Sequence, residues 1–221
     1  LYASGGAHVE GALLTETLLE ASGARVIQEE VTLSVSDDGY QIAGKSYDQV
    51  ILATGAWLGQ ILEPLGYQVD VRPQKGQLRD YQLDLDTADY PVVMPEGELD
   101  IIPFKKGKIS MGATHENEMG FDLTVDQALL NQMEKEALSY YPELAQAKVI
   151  GERVGTRAYT RDFSPFWGAL SDRAGLYVAS GLGSSGLTTG PLIGWHLSQL
   201  VVGGNLRLDP ADYPVEQYVK K

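Results

Sequence analysis

Residues 181–186 read GLGSSG, with glycine at 181, 183 and 186. The motif stands between an apolar run, Leu176–Ala179, and a helix-like stretch, Leu187–Val202. Glycines so spaced permit a tight turn and a close approach of backbone to a ligand. The amides of Gly183, Ser184, Ser185 and Gly186 open the following helix, where the helix dipole favours negative charge. A phosphate, an oxyanion or an electron-rich heterocycle would each suit them. The dinucleotide reading adds Asp209 as a ribose-binding acid, about 20 residues further on. Against it, Leu206–Leu208 is a minimal strand, Pro210 follows, and too little chain remains to finish a doubly wound sheet. A strand-turn-helix whose glycines serve packing alone is the plain alternative.

A second candidate is Arg157, in GTRAYTRDFSPFWG (residues 155–168). Its neighbours are small and aromatic. Such an arginine pairs with a carboxylate of the protein or clamps a substrate carboxylate with two parallel hydrogen bonds. Composition favours the internal salt bridge, with Asp162 as local partner and Arg161 competing for it. The three histidines, His8, His115 and His196, lack the spacing of a metal site. His196 reads as structural, and His115, in GATHENE, as an exposed or cavity-facing side chain. No serine lies in a GxSxG elbow, which makes Ser184 and Ser185 poor nucleophiles.

The elements that must position these residues fall into two styles. Residues 11–22 read as a helix with Leu14, Leu18 and Ala21 on one face and Gly23 as its stop. Arg25–Ile27 reads as a short strand. Val31, Leu33 and Val35 alternate with polar residues toward a hairpin turn at Asp38-Gly39. Val50–Ala53 has the pattern of a strand buried on both faces. The middle holds short β-like runs punctuated by prolines: Val69–Val71, Gln77–Tyr81, Leu99–Ile102 and Lys108–Met111. A helix follows from about Thr124 to Tyr140, with Thr124 and Gln127 as a capping box and Leu130, Met133, Ala137 and Tyr141 along one face. Leu176–Ala179 and the helix closed by Gly203-Gly204 return to the first style. The expected fold is mixed α/β: a discontinuous α/β domain from residues 1–70 and 154–221, with an inserted antiparallel-sheet domain at 71–153.

Bulk composition narrows the function. With 30 acidic and 17 basic residues, the formal charge is −13, and no basic surface suited to nucleic acid is visible. No apolar run approaches the ~20 residues of a membrane span. The absence of cysteine removes disulfides and thiolate chemistry, and it fits a reducing, cytoplasmic setting.

Four segments, in order, resemble the D-amino acid oxidase-like flavoprotein family near its glycine oxidase and sarcosine oxidase branch. They are YDQVILATGAWLGQILEPLG, VRPQKGQL, IIPFKKGKISMGATHENEMGFD, and the pair GTRAYTRDFSPFWG and LYVASGLGSSGLTTGP. The resemblance implies FAD as cofactor. It puts Val31 against the adenine and Ala53, Thr54, Gly55 and Trp57 beside the cofactor. Gly183, Ser184, Ser185, Gly186, Leu187 and Thr188 would meet the flavin ring, with the amides near 186–188 at N1 and O2. It makes Arg157 the clamp on a substrate carboxylate. The implied reaction is hydride transfer from the carbon beside an amine to flavin N5, the substrate being a small amino acid or secondary amine.

The sequence departs from the family pattern at three places. Ala158 stands where proline often follows the arginine. Asp100 stands where a tyrosine often precedes I-x-P, and an acid there favours a cationic group, unless it points to solvent; His115 lies nearby. The opening strand-GxGxxG-helix of the family has no counterpart, so the chain resembles the C-terminal part of a longer oxidoreductase, rounded off by a further N-terminal segment or by a homo-oligomer. Two other readings stay open: a flavin-dependent 2-hydroxy acid or polyol dehydrogenase, and a non-catalytic binding module of the same fold.

Overall fold

The computed structural model describes residues 4–5, 7–37 and 39–221. Asp38, half of the expected hairpin turn, lies outside the described residues, as do residues 1–3 and 6 of the opening segment.

Helix α1 (Gly11–Ser22) is capped by the Glu10 carboxylate, which accepts from the Leu13 amide, and ends at Gly23 in the left-handed region. None of its residues is buried, so the Leu14, Leu18, Ala21 stripe is not a core face among the described residues. Arg25–Ile27 is irregular rather than a strand, with Val26 and Ile27 exposed. Among the described residues no neighbouring strand offers its backbone a ladder there. Strands β1 (Leu33–Ser36) and β2 (Gly39–Ile42) form the expected antiparallel pair, and β3 (Lys45–Tyr47) extends it. Of the alternating residues only Leu33 is buried; Val31 and Val35 are exposed.

Strand β4 (Val50–Leu52) pairs in parallel with β11 (Leu176–Ser180), which pairs antiparallel with β10 (Phe166–Ala169). A strand from the first third of the chain thus lies against one from the last. Val50 and Leu52 are buried but Ile51 is exposed, so β4 is covered on one face and not on both. Its core joins Leu33, Tyr40, Leu52, Phe166, Leu176 and Val178 to helix α2 (Leu58–Leu62) through Leu58 and Leu62. Strand β5 (Gln68–Val69) pairs with the C-terminal β12 (Val219–Lys220).

The middle of the chain forms a four-stranded antiparallel sheet in the order β7-β8-β6-β9. The strands are β6 (Arg72–Gln82), β7 (Asp100–Pro103), β8 (Lys108–Gly112) and β9 (Lys148–Tyr159). Helix α3 (Gln127–Tyr140) covers one face, setting Met133 and Ala137 against Tyr81, Ile101, Ile109 and Met111. Its N-cap is Asp126, which accepts from the Leu129 amide at 3.0 Å, in place of the expected Thr124–Gln127 box. Gln127 is already helical, and its side chain bridges Arg79 and Glu152.

Side chains alternate across a strand. Lys75, Gln77 and Arg79 of β6 therefore face α3 with Tyr81, while Gln74, Gly76, Leu78 and Asp80 face away. On β9, Arg153, Gly155 and Arg157 share that second face, opposite Leu78, Gly76 and Gln74. Asp100 joins it from β7. Helix α4 (Gly186–Val202) ends at Gly203 in the left-handed region. Leu206–Leu208 is irregular, and Asp209 caps a single turn by accepting from the Ala211 amide at 2.9 Å. The strand expected at Leu206–Leu208 is absent, that acid is committed to a turn, and the one strand after α4 among the described residues, β12, pairs antiparallel with β5, so GLGSSG does not open a dinucleotide unit within the described residues.

Candidate active site

Because β4 and β11 are parallel, their carboxyl ends emerge on the same side, the place where open α/β sheets bind ligands. The first turn is Ala53-Thr54 followed by the one-turn helix Gly55–Trp57; the second is the one-turn helix Gly183–Ser185 leading into α4. Ser180 stitches them, its hydroxyl donating to the Gly55 carbonyl at 2.9 Å. Both glycines border Ala158: a Cβ on Gly55 would stand 4.0 Å from the Ala158 Cβ, and one on Gly183 4.0 Å from its carbonyl oxygen. The two turns and the end of β9 meet at this point, which carries Arg157 to the junction.

The residues of the turns suit a flat, electron-rich group. Ser185 precedes α4 without capping it; its hydroxyl donates to the Leu182 carbonyl at 2.7 Å. The first amides of α4 thus have no side-chain acceptor, and their dipole end stays positive. Ser184, Ser185, Leu187 and Thr188 are exposed, and Gly183 and Gly186 are half-buried. Trp57 is exposed, with its ring 4.9 Å from that of Phe121. The Thr54 hydroxyl is buried with no hydrogen-bond partner. Val31 lies in the irregular segment before β1 and is exposed.

Arg157 does not pair with Asp162. That carboxylate accepts from the Tyr218 hydroxyl at 2.9 Å and from Thr160 at 3.0 Å, while Arg161 turns to Asp70 at 3.2 Å. Arg157 donates instead to the Thr114 carbonyl at 2.8 Å and the Gln74 side chain at 3.5 Å. Among the described residues no carboxylate lies within ion-pair distance of it. Burial pushes its pKa down, and only the Coulombic pull of Glu98 opposes this. Glu98 itself lies 3.7 Å from His115, which is partly exposed. Asp100 is half-buried; burial pushes its carboxyl up, and His115 opposes that. His196 is fully buried, stacked on Trp167 at 4.9 Å, as a structural histidine would be.

The family model described as FAD dependent oxidoreductase matches residues 1–200. The chain belongs to that family. It is 40% identical to the uncharacterized oxidoreductase YurR of Bacillus subtilis, over 96% of this chain and 60% of that protein. It is 32% identical to glycine oxidase of Pseudomonas aeruginosa, over 75% of this chain and 45% of that enzyme. The crystal structure of iminodiacetate oxidase from Chelativorans sp. BNC1 superposes with a TM-score of 0.86 at 33% identity, covering 91% of this chain and 57% of that one. The chain therefore spans at most 60% of the length of these relatives. Family and structural neighbours agree with the mixed α/β architecture and with FAD as the cofactor of the family. Among the described residues no helix is long and apolar enough to cross a membrane.

Sequence reasoning missed Gln74, Gly76, Thr114 and Phe121. The one signal available was the glycine of QKGQL: glycine inside a strand marks a bulge or a close approach.

Proposed function

We propose that this chain supplies the flavin-ring turn and the substrate clamp of an FAD-dependent enzyme that oxidises a small amino acid or secondary amine. The observation carrying this reading is Arg157: a largely desolvated cation, without a carboxylate partner among the described residues, at the junction of two glycine turns. An incoming carboxylate would supply its counter-charge through charge-assisted hydrogen bonds. The similarity to proteins named glycine oxidase and iminodiacetate oxidase supports an amine-bearing carboxylate as substrate.

FAD, when bound, supplies the hydride acceptor. The amides of Gly186, Leu187 and Thr188 would face negative charge with the dipole of α4 behind them. Ala53, Thr54, Gly55 and Trp57 would line the other side of the cofactor. Trp57 and Phe121 would exclude water from one edge. Arg157 would fix the substrate through its carboxylate, leaving the carbon beside the amine as the reacting position. Asp100, on the same sheet face, would favour a cationic substituent, with His115 moderating its charge. Val31 keeps the role of adenine neighbour in this reading.

The test is the visible spectrum of the purified protein after FAD addition and dialysis, followed by anaerobic addition of amine-bearing carboxylates. Retained flavin absorbance that such substrates bleach is the expected result. In Arg157→Met the substrate concentration for half-bleaching should rise at least about tenfold. Unchanged bleaching would remove the clamp from the reading.

A further inference from the structure

Arg157 does not rise straight from its own strand. Its guanidinium crosses to β6 and lies over Gly76. A Cβ built on Gly76 would stand 2.7 Å from Cζ and 2.8 Å from Nη2, with Nη1 nearer still. Real Cβ atoms do not come this close, and the obstruction is the charged end of the arginine. The backbone of Gly76 lies outside the left-handed region, so its dihedral angles admit any residue. The nearest obstacle to a side chain here is that movable guanidinium. Gly155, directly opposite on β9, makes the contrast: a Cβ there meets nothing within 4 Å.

We propose that Gly76 is a positioning residue for carboxylate recognition, the seat that sets the pose of Arg157. The proposal rests on the clamp reading of Arg157 and adds how the clamp is aimed. With the guanidinium on Gly76, Nη1 is held by the Thr114 carbonyl at 2.8 Å and by Gln74 at 3.5 Å. Gln74 is buried and oriented in turn by donating to Asn117 at 2.7 Å. No protein acceptor meets Nε or Nη2 among the described residues. These two donors form one edge of the planar fork, the geometry that takes a carboxylate side-on and bidentate. A methyl group at residue 76 lifts the guanidinium off its seat, breaks the Thr114 bond and turns that edge away.

The test is a titration of the chain with acetate, read at the Nε–H NMR resonance of Arg157, which is assigned by its loss in Arg157→Lys. In the parent protein the resonance should move saturably. Gly76→Ala should shift it before any ligand is added and weaken acetate binding about tenfold or more. Gly155→Ala should do neither, and backbone amide signals away from residue 76 should hold in both. Parent-like acetate binding by Gly76→Ala overturns the proposal. If Gly76→Ala does not fold, Gln74→Glu decides: a carboxylate beside Nη1 should compete with acetate, with an affinity loss of similar size, and unchanged affinity overturns the seat. A parent protein whose Arg157 resonance ignores acetate overturns the clamp reading itself, a result distinct from failure of the seat alone.

Discussion

Two guanidiniums of the four-stranded antiparallel sheet have opposite surroundings. Arg79, on the face under α3, is buried and matched: Glu134 lies at 2.6 Å, Glu152 at 2.9 Å, and Asn131 and Gln127 accept further bonds. Arg157 has a carbonyl and an amide but, among the described residues, no acid within ion-pair distance. Removing one member of a buried pair leaves the other charge uncompensated. Arg79→Met should therefore cost about 3 kcal/mol, the lower end for such pairs because both acids are partly exposed. Arg157→Met removes a desolvated cation with no counter-charge and should leave stability unchanged or raised when no carboxylate ligand is present. Urea unfolding of the two variants checks both, and equal losses would contradict the contrast. Asp80 adds a pH dependence. Burial pushes its carboxyl up, but hydrogen bonds from Arg153 and Ser110 together outweigh this and hold it below the usual range. A carboxyl lowered on folding adds stability above its unfolded pKa, near 3.9, and loses it as pH falls through the folded value. Arg153→Ala leaves burial dominant, so Asp80 no longer contributes to the acid loss, and the urea midpoint should fall less steeply as pH drops in the variant than in the parent.

At the scale of elements, legibility followed the kind of signal. The glycine turns after β4 and β11 could be read because a glycine at a strand-to-helix corner has positional meaning. Strand β9 could not, since KVIGERVGTRAY lacks apolar alternation. Its pairing with β6 relies on cross-strand polar contacts, such as Arg153 with Asp80 at 2.8 Å, that only tertiary structure creates. The partner of Arg157 was misread for a related reason. Asp162 is near in sequence but taken by Tyr218, and the carbonyl that does hold the guanidinium belongs to Thr114. Side-chain identity carries no information about a backbone acceptor. The α3 cap turned on a choice between neighbours: Thr124 offered the known pattern, but its backbone carbonyl is bound by the buried Lys75 ammonium, and the helix starts only after Asp126. Asp126→Ala should cost about 1 kcal/mol, seen as a lower urea midpoint with an unchanged slope. Thr124→Val, which keeps that carbonyl, should cost less.

We propose a division of the whole molecule into a first unit, residues 1–70 with 154–221, and a second, residues 71–153, between which the apolar clusters sort. The first unit holds two, one of Leu52, Phe166, Leu176 and Val178 and one of Trp167, Ala179, Ile193 and Leu197; the second holds Tyr81, Ile101, Ile109 and Met111. Strands β6 and β9 carry the chain between the units: Leu78–Gln82 pairs with β9 inside the second unit, whereas Arg72–Gln77 pairs with Val154–Tyr159 across the division. The candidate flavin turns lie wholly in the first. A ligand that binds one folded unit stabilises that unit, by about 2.7 kcal/mol at 100 times its Kd. All three tryptophans, Trp57, Trp167 and Trp195, lie outside residues 71–153, and only Trp57 has an aromatic neighbour there, Phe121, so tryptophan emission is weighted to the first unit, while far-ultraviolet circular dichroism also follows the antiparallel sheet. FAD should therefore raise the midpoint of the emission-wavelength transition more than that of the dichroism transition. Equal shifts would mean that the continuous strands fuse the units into one cooperative body. No shift in either would mean that the amides of α4 and the Gly55 turn do not hold the cofactor in this chain, however well their geometry suits it.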